Sequence, residues 1–237
     1  MAKACCVALA LVMMPCGVVA DREPKTDHYQ IGAASYDGIG KVYLGREISH
    51  VMGHLGADWL ERPTREQEER TDLLLSNINL RLTDVVVDLG AGTGYFSFPM
   101  ARRLTRGKVV AIDIQPEMLG IIERRKTREN IANIETLLGT NTNPGIPASS
   151  VDVVLVVDAY HEFSHPREVM ESVVNGLKPG GRVVLVEYRG EDVKVPIKRL
   201  HKMSQQQAKK EMQAVGLQWL KTDNYLPQQH VMIFAKP

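Results

Sequence analysis

Between Asp21 and Pro237 the chain contains no cysteine; Cys5, Cys6 and Cys16 all fall within the first twenty residues. The body of the protein therefore has no disulfide framework, no thiolate metal site and no cysteine nucleophile. An excess of one charge is also missing. Lys+Arg number 29 against Asp+Glu 28, a formal net charge of +1 over 237 residues, so no global field draws the chain to a polyanion and no nucleic-acid partner is expected. No internal repeat is present, and no apolar run of the body approaches the roughly 20 residues that span a bilayer. With 44% hydrophobic and 24% charged residues, the composition is that of an ordinary globular protein with one large domain.

Lys3 is the only charged side chain before Asp21, and Ala4 to Met14 is an unbroken apolar run followed by Pro15, Gly17 and Val18-Val19-Ala20. Residues 1–20 thus have the layout of a signal peptide cut after Ala20, which implies an exported or periplasmic chain with no membrane span once mature. The alternatives are an uncleaved anchor or a misassigned start, the latter leaving the protein cytoplasmic. Residues 21–72 read as an N-terminal helical extension, in which Tyr29, Tyr36, Tyr43 and Trp59 suggest a lid. The charge run from Glu61 to Arg70 reads as a solvated helix with opposite charges at helical spacing.

From Asp84 onward, near-continuously apolar β-branched runs alternate with helical stretches. Strands are predicted at Val85-Leu89, Val109-Asp113, Ile134-Leu138, Val151-Asp158 and Arg182-Tyr188, apolar enough to be covered on both faces. Helices are predicted at Tyr95-Leu104, Pro116-Lys126 and Pro166-Leu177, with Lys178-Pro179-Gly180-Gly181 stopping the third. A helix at Ser204-Val215 and a hairpin of Leu217-Thr222 with His230-Ala235 complete the pattern. The fold class is α/β, a doubly wound and mostly parallel seven-stranded sheet whose last strand is antiparallel.

The motif Val85-Val-Val-Asp88-Leu-Gly90-Ala91-Gly92-Thr-Gly94-Tyr95-Phe96 places three glycines between a strand and a helix. Such a turn lets a ligand approach bare backbone. Asp113 stands at the tip of the next strand, where a carboxylate can accept both hydroxyls of a ribose. A dinucleotide fingerprint needs a small residue at position 95 for close helix packing, and Tyr95 is there instead. At these residues the chain resembles the class I S-adenosylmethionine-dependent methyltransferases, in particular their quinone- and small-molecule-modifying branch. The resemblance extends over residues 73–237 and includes AIDIQPEML from Ala111, the VDVVLVVDAYHEF strand and loop, LKPGG and the closing LPQQHVMIF. It implies a Rossmann-like fold, S-adenosyl-L-methionine as cofactor, and contacts to it from Asp88, Gly90, Ala91, Gly92, Gly94, Asp113, Ile114 and Asp158. Many members carry an acid after the third strand for the adenine amino group; here Asn141 stands nearby, and its side-chain oxygen can accept the same hydrogen bond.

Methyl transfer to oxygen or nitrogen needs alignment and removal of a proton. The loop after the fourth strand supplies His161 as a candidate base, with Glu162 or Asp158 to orient it; the alternative is that His161 only lines the pocket. The N/D-P-P-Y/F loop associated with methylation of base amino groups is absent, which favours a small or medium-sized acceptor. Glu187-Tyr188-Arg189 with Lys194, Lys198, Arg199, His201 and Lys202 forms a cationic edge, either solvated or attracting an acidic acceptor. No metal is expected: His161-Glu162-Phe163-Ser164-His165 satisfies H-E-x-x-H literally, but it follows a buried strand and precedes Pro166, which disfavours the helix a zinc peptidase requires. The competing functions are a non-catalytic cofactor-binding protein and an NAD-dependent oxidoreductase, the latter opposed by Tyr95.

Overall fold

The computed structural model describes Met1 and residues 28–237, so the signal-peptide reading of residues 1–20 lies outside the described residues, Met1 apart. The chain opens with three antiparallel strands, β1 (Tyr29–Ile31), β2 (Gly38–Tyr43) and β3 (Arg46–Ser49). Four short helical pieces follow: a 3-10 turn at His54–Gly56, then α1 (Ala57–Leu60), α2 (Arg65–Glu69) and α3 (Thr71–Asn77). The extension expected to be helical is therefore half sheet. Its hairpin turns at Leu44-Gly45, both with positive φ (48° and 96°), the backbone that a two-residue hairpin of this hand requires. Leucine is not the usual residue there, which hid the turn.

The remainder runs β4 (Val85–Leu89), α4 (Ser97–Arg103), β5 (Lys108–Asp113), α5 (Pro116–Glu129), β6 (Ile134–Leu138), β7 (Val151–Val157), α6 (Pro166–Gly176), β8 (Leu177–Tyr188), α7 (Gln205–Gln213), β9 (Gln218–Asp223) and β10 (Gln229–Ala235). The seven strands from β4 onward form one sheet in the order β6-β5-β4-β7-β8-β10-β9. All pairs from β6 to β8 are parallel, and β10 is antiparallel to both neighbours, as expected. β8 starts earlier than predicted. Leu177 already pairs with Val151, and Lys178-Pro179-Gly180-Gly181 bulges before Arg182 pairs with Val153, so the residues read as a turn lie within the strand.

Alternation along the strands covers both faces. Val86, Val153, Leu155, Val184 and Val186 pack with Leu74, Phe98 and Ile122 of α3, α4 and α5. Val87, Val154, Val156, Val183 and Leu185 pack with Val169, Met170 and Met212 of α6 and α7. The strand order reverses at β4 and β7, the point where open α/β sheets leave a crevice at the carboxyl ends of their strands.

The Glu61–Arg70 run is not a solvated face. Arg65 and Glu69 are buried. Glu69 accepts hydrogen bonds from Arg62 (2.6 Å), Arg65 (3.0 Å) and the Tyr188 hydroxyl at the end of β8 (2.8 Å), while Arg65 lies over the Tyr95 ring at 4.3 Å. The run therefore ties the extension to the sheet. Glu69→Gln leaves Arg65 buried without its full counter-charge, so it is expected to destabilise by about 3–5 kcal/mol, a fall in Tm on the order of 10 °C; thermal unfolding followed by circular dichroism checks this, and an unchanged Tm contradicts it.

Asp88, at the end of β4, is buried and accepts a 2.6 Å hydrogen bond from the Ser97 hydroxyl at the start of α4. Burial pushes its carboxyl up from 3.8 to about 6, against the opposing hydrogen bond from Ser97. A carboxyl raised by folding binds more protons folded than unfolded between those values, so its contribution to stability falls as pH rises through that window. Relative to wild type, Asp88→Asn should therefore gain stability between pH about 5 and about 7.5, by roughly 1.4 kcal/mol, the part of this shift that falls within that interval. Melting temperatures at the two pH values test it, and a difference independent of pH contradicts it.

Candidate active site

A cavity of about 660 Å3 opens at the carboxyl ends of β4, β5, β6 and β7, within the roughly 300–1,000 Å3 of clefts that enclose small molecules. Of the residues singled out from the sequence, Gly90, Asp113, Ile114, Asn141, Asp158, His161 and Glu162 line it. Asp88, Ala91, Gly92 and Gly94 do not; they build the turn behind it. Gly90, Gly92 and Gly94 all have positive φ (75°, 54° and 80°). A Cβ on Gly90 would meet that of Ala159 at 2.8 Å, so the β4 and β7 loops touch only because that residue is glycine.

The glycine turn is stitched to the tip of β5. The N–H groups of Gly90 and Ala91 both donate to the Ile112 carbonyl (2.8 and 3.0 Å). The Gly92 N–H donates to Asp113 Oδ2 and the Gln115 N–H to Oδ1, each at 2.9 Å. Burial raises the Asp113 pKa, and these N–H groups oppose the rise. Each carboxylate oxygen keeps lone-pair capacity beyond its one N–H donor.

On the β7 side, Asp158 adopts a left-handed backbone (φ 48°). Its Oδ2 accepts from Gln229 at 3.2 Å, whereas Oδ1 is buried with no hydrogen-bond donor among the described residues. Burial, joined by the nearby charges of Glu69 and Glu187, holds its pKa well above the carboxylate range. Asp158 is thus a cavity-lining acceptor short of a donor.

His161 and Glu162 lie on a 3-10 turn, Tyr160–Glu162. The residue that orients His161 is neither Glu162 nor Asp158 but Glu187 of β8, whose Oε2 is 2.6 Å from Nδ1 and whose Oε1 accepts the His161 backbone N–H at 3.2 Å. Burial disfavours the charged imidazole, but the Glu187 charge outweighs it and raises the His161 pKa. The His161 carbonyl accepts from Arg46 (3.0 Å) and Ser49 (3.2 Å), so β3 of the extension braces the turn. Nε2 of His161 faces Nδ1 of His201 at 3.1 Å. His165, the second histidine of the H-E-x-x-H string, contacts Ser164 and the Tyr29 ring instead.

Sequence reasoning missed several contributors. Gln115 holds the extension over the cavity, accepting from His54 N–H at 2.7 Å and donating to the Met52 carbonyl at 3.0 Å. Glu162 accepts the Met52 N–H at 3.0 Å. Of the cationic edge, Lys194, Lys198 and Arg199 stay exposed, with Lys198 pairing with Asp37 at 2.7 Å, whereas Glu187 is fully buried and His201 turns into the cavity wall. Tyr95 is half-buried beneath Arg65, its hydroxyl 3.1 Å from Thr71 Oγ1.

Comparison with known proteins agrees with this geometry. The family model described as a methyltransferase domain matches residues 81–230. An uncharacterized methyltransferase-like protein of Schizosaccharomyces pombe is 28% identical over 149 residues, covering 63% of this chain and 56% of that protein. A demethylmenaquinone methyltransferase of Lactococcus lactis is 32% identical over 145 residues, covering 59% of this chain and 58% of the other. The chain thus spans little more than half the length of these relatives. A solved S-adenosylmethionine-dependent methyltransferase from Aquifex aeolicus shares the fold, with a TM-score of 0.74 at 19% identity over 78% of this chain and 100% of that one. With the family match covering the glycine turn, Asp113 and the sheet from β4 into β10, the chain belongs to the methyltransferase-domain family.

Proposed function

We propose that the protein is an S-adenosylmethionine-dependent methyltransferase acting on a small or medium-sized acceptor. The observation that carries this reading is the meeting, in one cavity, of the glycine turn after β4 with the buried carboxylate of Asp113. The residues present fit the cofactor's chemistry. Asp113 retains lone pairs for the two ribose hydroxyls. Asp158 Oδ1 is a buried acceptor suited to the ammonium of the methionine tail, with Gly90 offering close backbone approach beside it. Ile114 and Met118 give apolar surface for a purine, and Asn141 an amide for its edge. S-adenosylmethionine supplies an electrophilic methyl carbon on a sulfonium.

The chain's own part is alignment and exclusion of water. Gln115 and Glu162 fix the Met52 segment over the cavity, and Trp59 and Leu60 add apolar cover. Hydrogen bonding to Glu187 fixes the His161 ring, so that Nε2 points to the cavity wall rather than rotating away. A relative named as a demethylmenaquinone methyltransferase supports a quinone-type acceptor. Tyr95, filling the space a dinucleotide's helix contact needs, argues against NAD.

Calorimetric titration of the protein with S-adenosylmethionine, S-adenosylhomocysteine and NAD tests the reading. Saturable heat with the first two and none with NAD is expected; no heat with either sulfur nucleoside contradicts it. Asp113→Asn, which keeps the shape but loses one charged acceptor, is expected to weaken S-adenosylhomocysteine binding roughly 10- to 100-fold, matching the about 1.5–3 kcal/mol of hydrogen bonds to a charged group. Unchanged affinity in that variant contradicts the ribose assignment.

A further inference from the structure

Three ligand-type atoms converge at the wall of the cavity. His161 Nε2 is 3.1 Å from His201 Nδ1 and 3.8 Å from Glu162 Oε1, and His201 Nδ1 is 3.4 Å from Glu162 Oε1. A circle through the three atoms has a radius of about 2.0 Å, the length of a zinc–nitrogen or zinc–carboxylate bond. An ion at bonding distance therefore fits at, or slightly above, their plane with no ligand displaced.

The far nitrogens complete the pattern. Nδ1 of His161 is 2.6 Å from Glu187 Oε2, and Nε2 of His201 is 3.0 Å from Asp37 Oδ2. A carboxylate at the remote nitrogen draws the ring proton there and leaves the near nitrogen a bare lone pair, the arrangement that metal-bound histidines share. His161 has it as a hydrogen bond to Glu187, Asp37 stands within ion-pair distance of the remote nitrogen of His201, and the two near nitrogens face one another beside a third acceptor, Glu162 Oε1. Three ligand-type atoms this close suit a cation between them.

We propose that His161 Nε2, Glu162 Oε1 and His201 Nδ1 hold a divalent first-row transition-metal ion, zinc being the best match to two imidazoles and a carboxylate. All three residues line the cavity, so the ion borders the space for the acceptor, where its remaining coordination position takes water or an acceptor oxygen. The inference adds an acceptor-side metal to the methyltransferase reading. The site itself rests on ligand geometry alone, so metal binding and nucleoside binding can fail independently.

The test uses the full chain, stripped with a chelator and titrated with CoCl2 and then ZnCl2. Saturable uptake of one cobalt per chain is expected, with visible absorption of the intensity given by a low-coordinate ion and displacement by zinc. Zinc should also raise the Tm of the stripped protein. His201→Gln and Glu162→Gln are each expected to weaken uptake at least tenfold, and Asp37→Asn, which leaves every ligand in place, by about 10- to 100-fold. Melting of each metal-free variant reports whether it is folded. Absence of saturable uptake of either ion overturns the proposal and leaves a proton between the imidazoles, and undiminished uptake by the folded His201→Gln and Glu162→Gln proteins overturns it by placing the ion elsewhere.

Discussion

The bond from the Gly92 N–H to the Asp113 carboxylate, with the paired donation of Gly90 and Ala91 to the Ile112 carbonyl, fixes the whole site. These contacts lock the turn after β4 to the tip of β5 and bring bare backbone and a buried carboxylate to one wall. The carboxylate has to be there for two reasons at once. It satisfies backbone donors that a positive-φ turn leaves without partners, and it keeps acceptor capacity facing the cavity. The glycines at 90, 92 and 94 are the condition for that geometry, because each holds a backbone that L side chains resist.

The second constraint is the attachment of the N-terminal segment. Buried Glu69 joins α2 to Tyr188 of β8, Arg46 joins β3 to Glu211 of α7 at 2.7 Å and to the His161 carbonyl, and Gln115 grips residues 52 and 54. Charged side chains that would be costly to bury alone are buried here in mutually satisfied sets. The segment is thereby part of the cavity wall: Ser49, Met52, Trp59 and Leu60 come from it, while His161 and Glu162 come from the turn after β7 and Tyr188 from the end of β8. Acceptor chemistry and the extension are coupled through the His161 turn, whose carbonyl is held by Arg46 and Ser49.

Much of the sheet was legible because strands covered on both faces are near-continuously apolar, and β4, β5 and β7 are such runs with edges at or within one residue of those expected. The glycine turn and Asp113 were legible because ligand-facing backbone needs a rare residue type at fixed positions. The small N-terminal sheet was not, since Leu44-Gly45 makes a hairpin without the usual turn residues and its strands are only three to six residues long. Nor were the partners of His161. Glu187 and His201 lie 26 and 40 residues away, and only the return of β8 to the side of β7 and the following loop bring them together. The charge run at 61–70 looked solvated because spacing along a helix reports local pairs, whereas the burial of Glu69 depends on a tyrosine 119 residues distant.

A crystal structure of the protein with S-adenosylhomocysteine tests the central claim most directly. The account predicts the ribose hydroxyls on the Asp113 carboxylate and the amino-acid tail along Gly90 toward Asp158, with the glycine turn unmoved. A nucleoside bound elsewhere, or an Asp113 side chain turned away from the sugar, would contradict it.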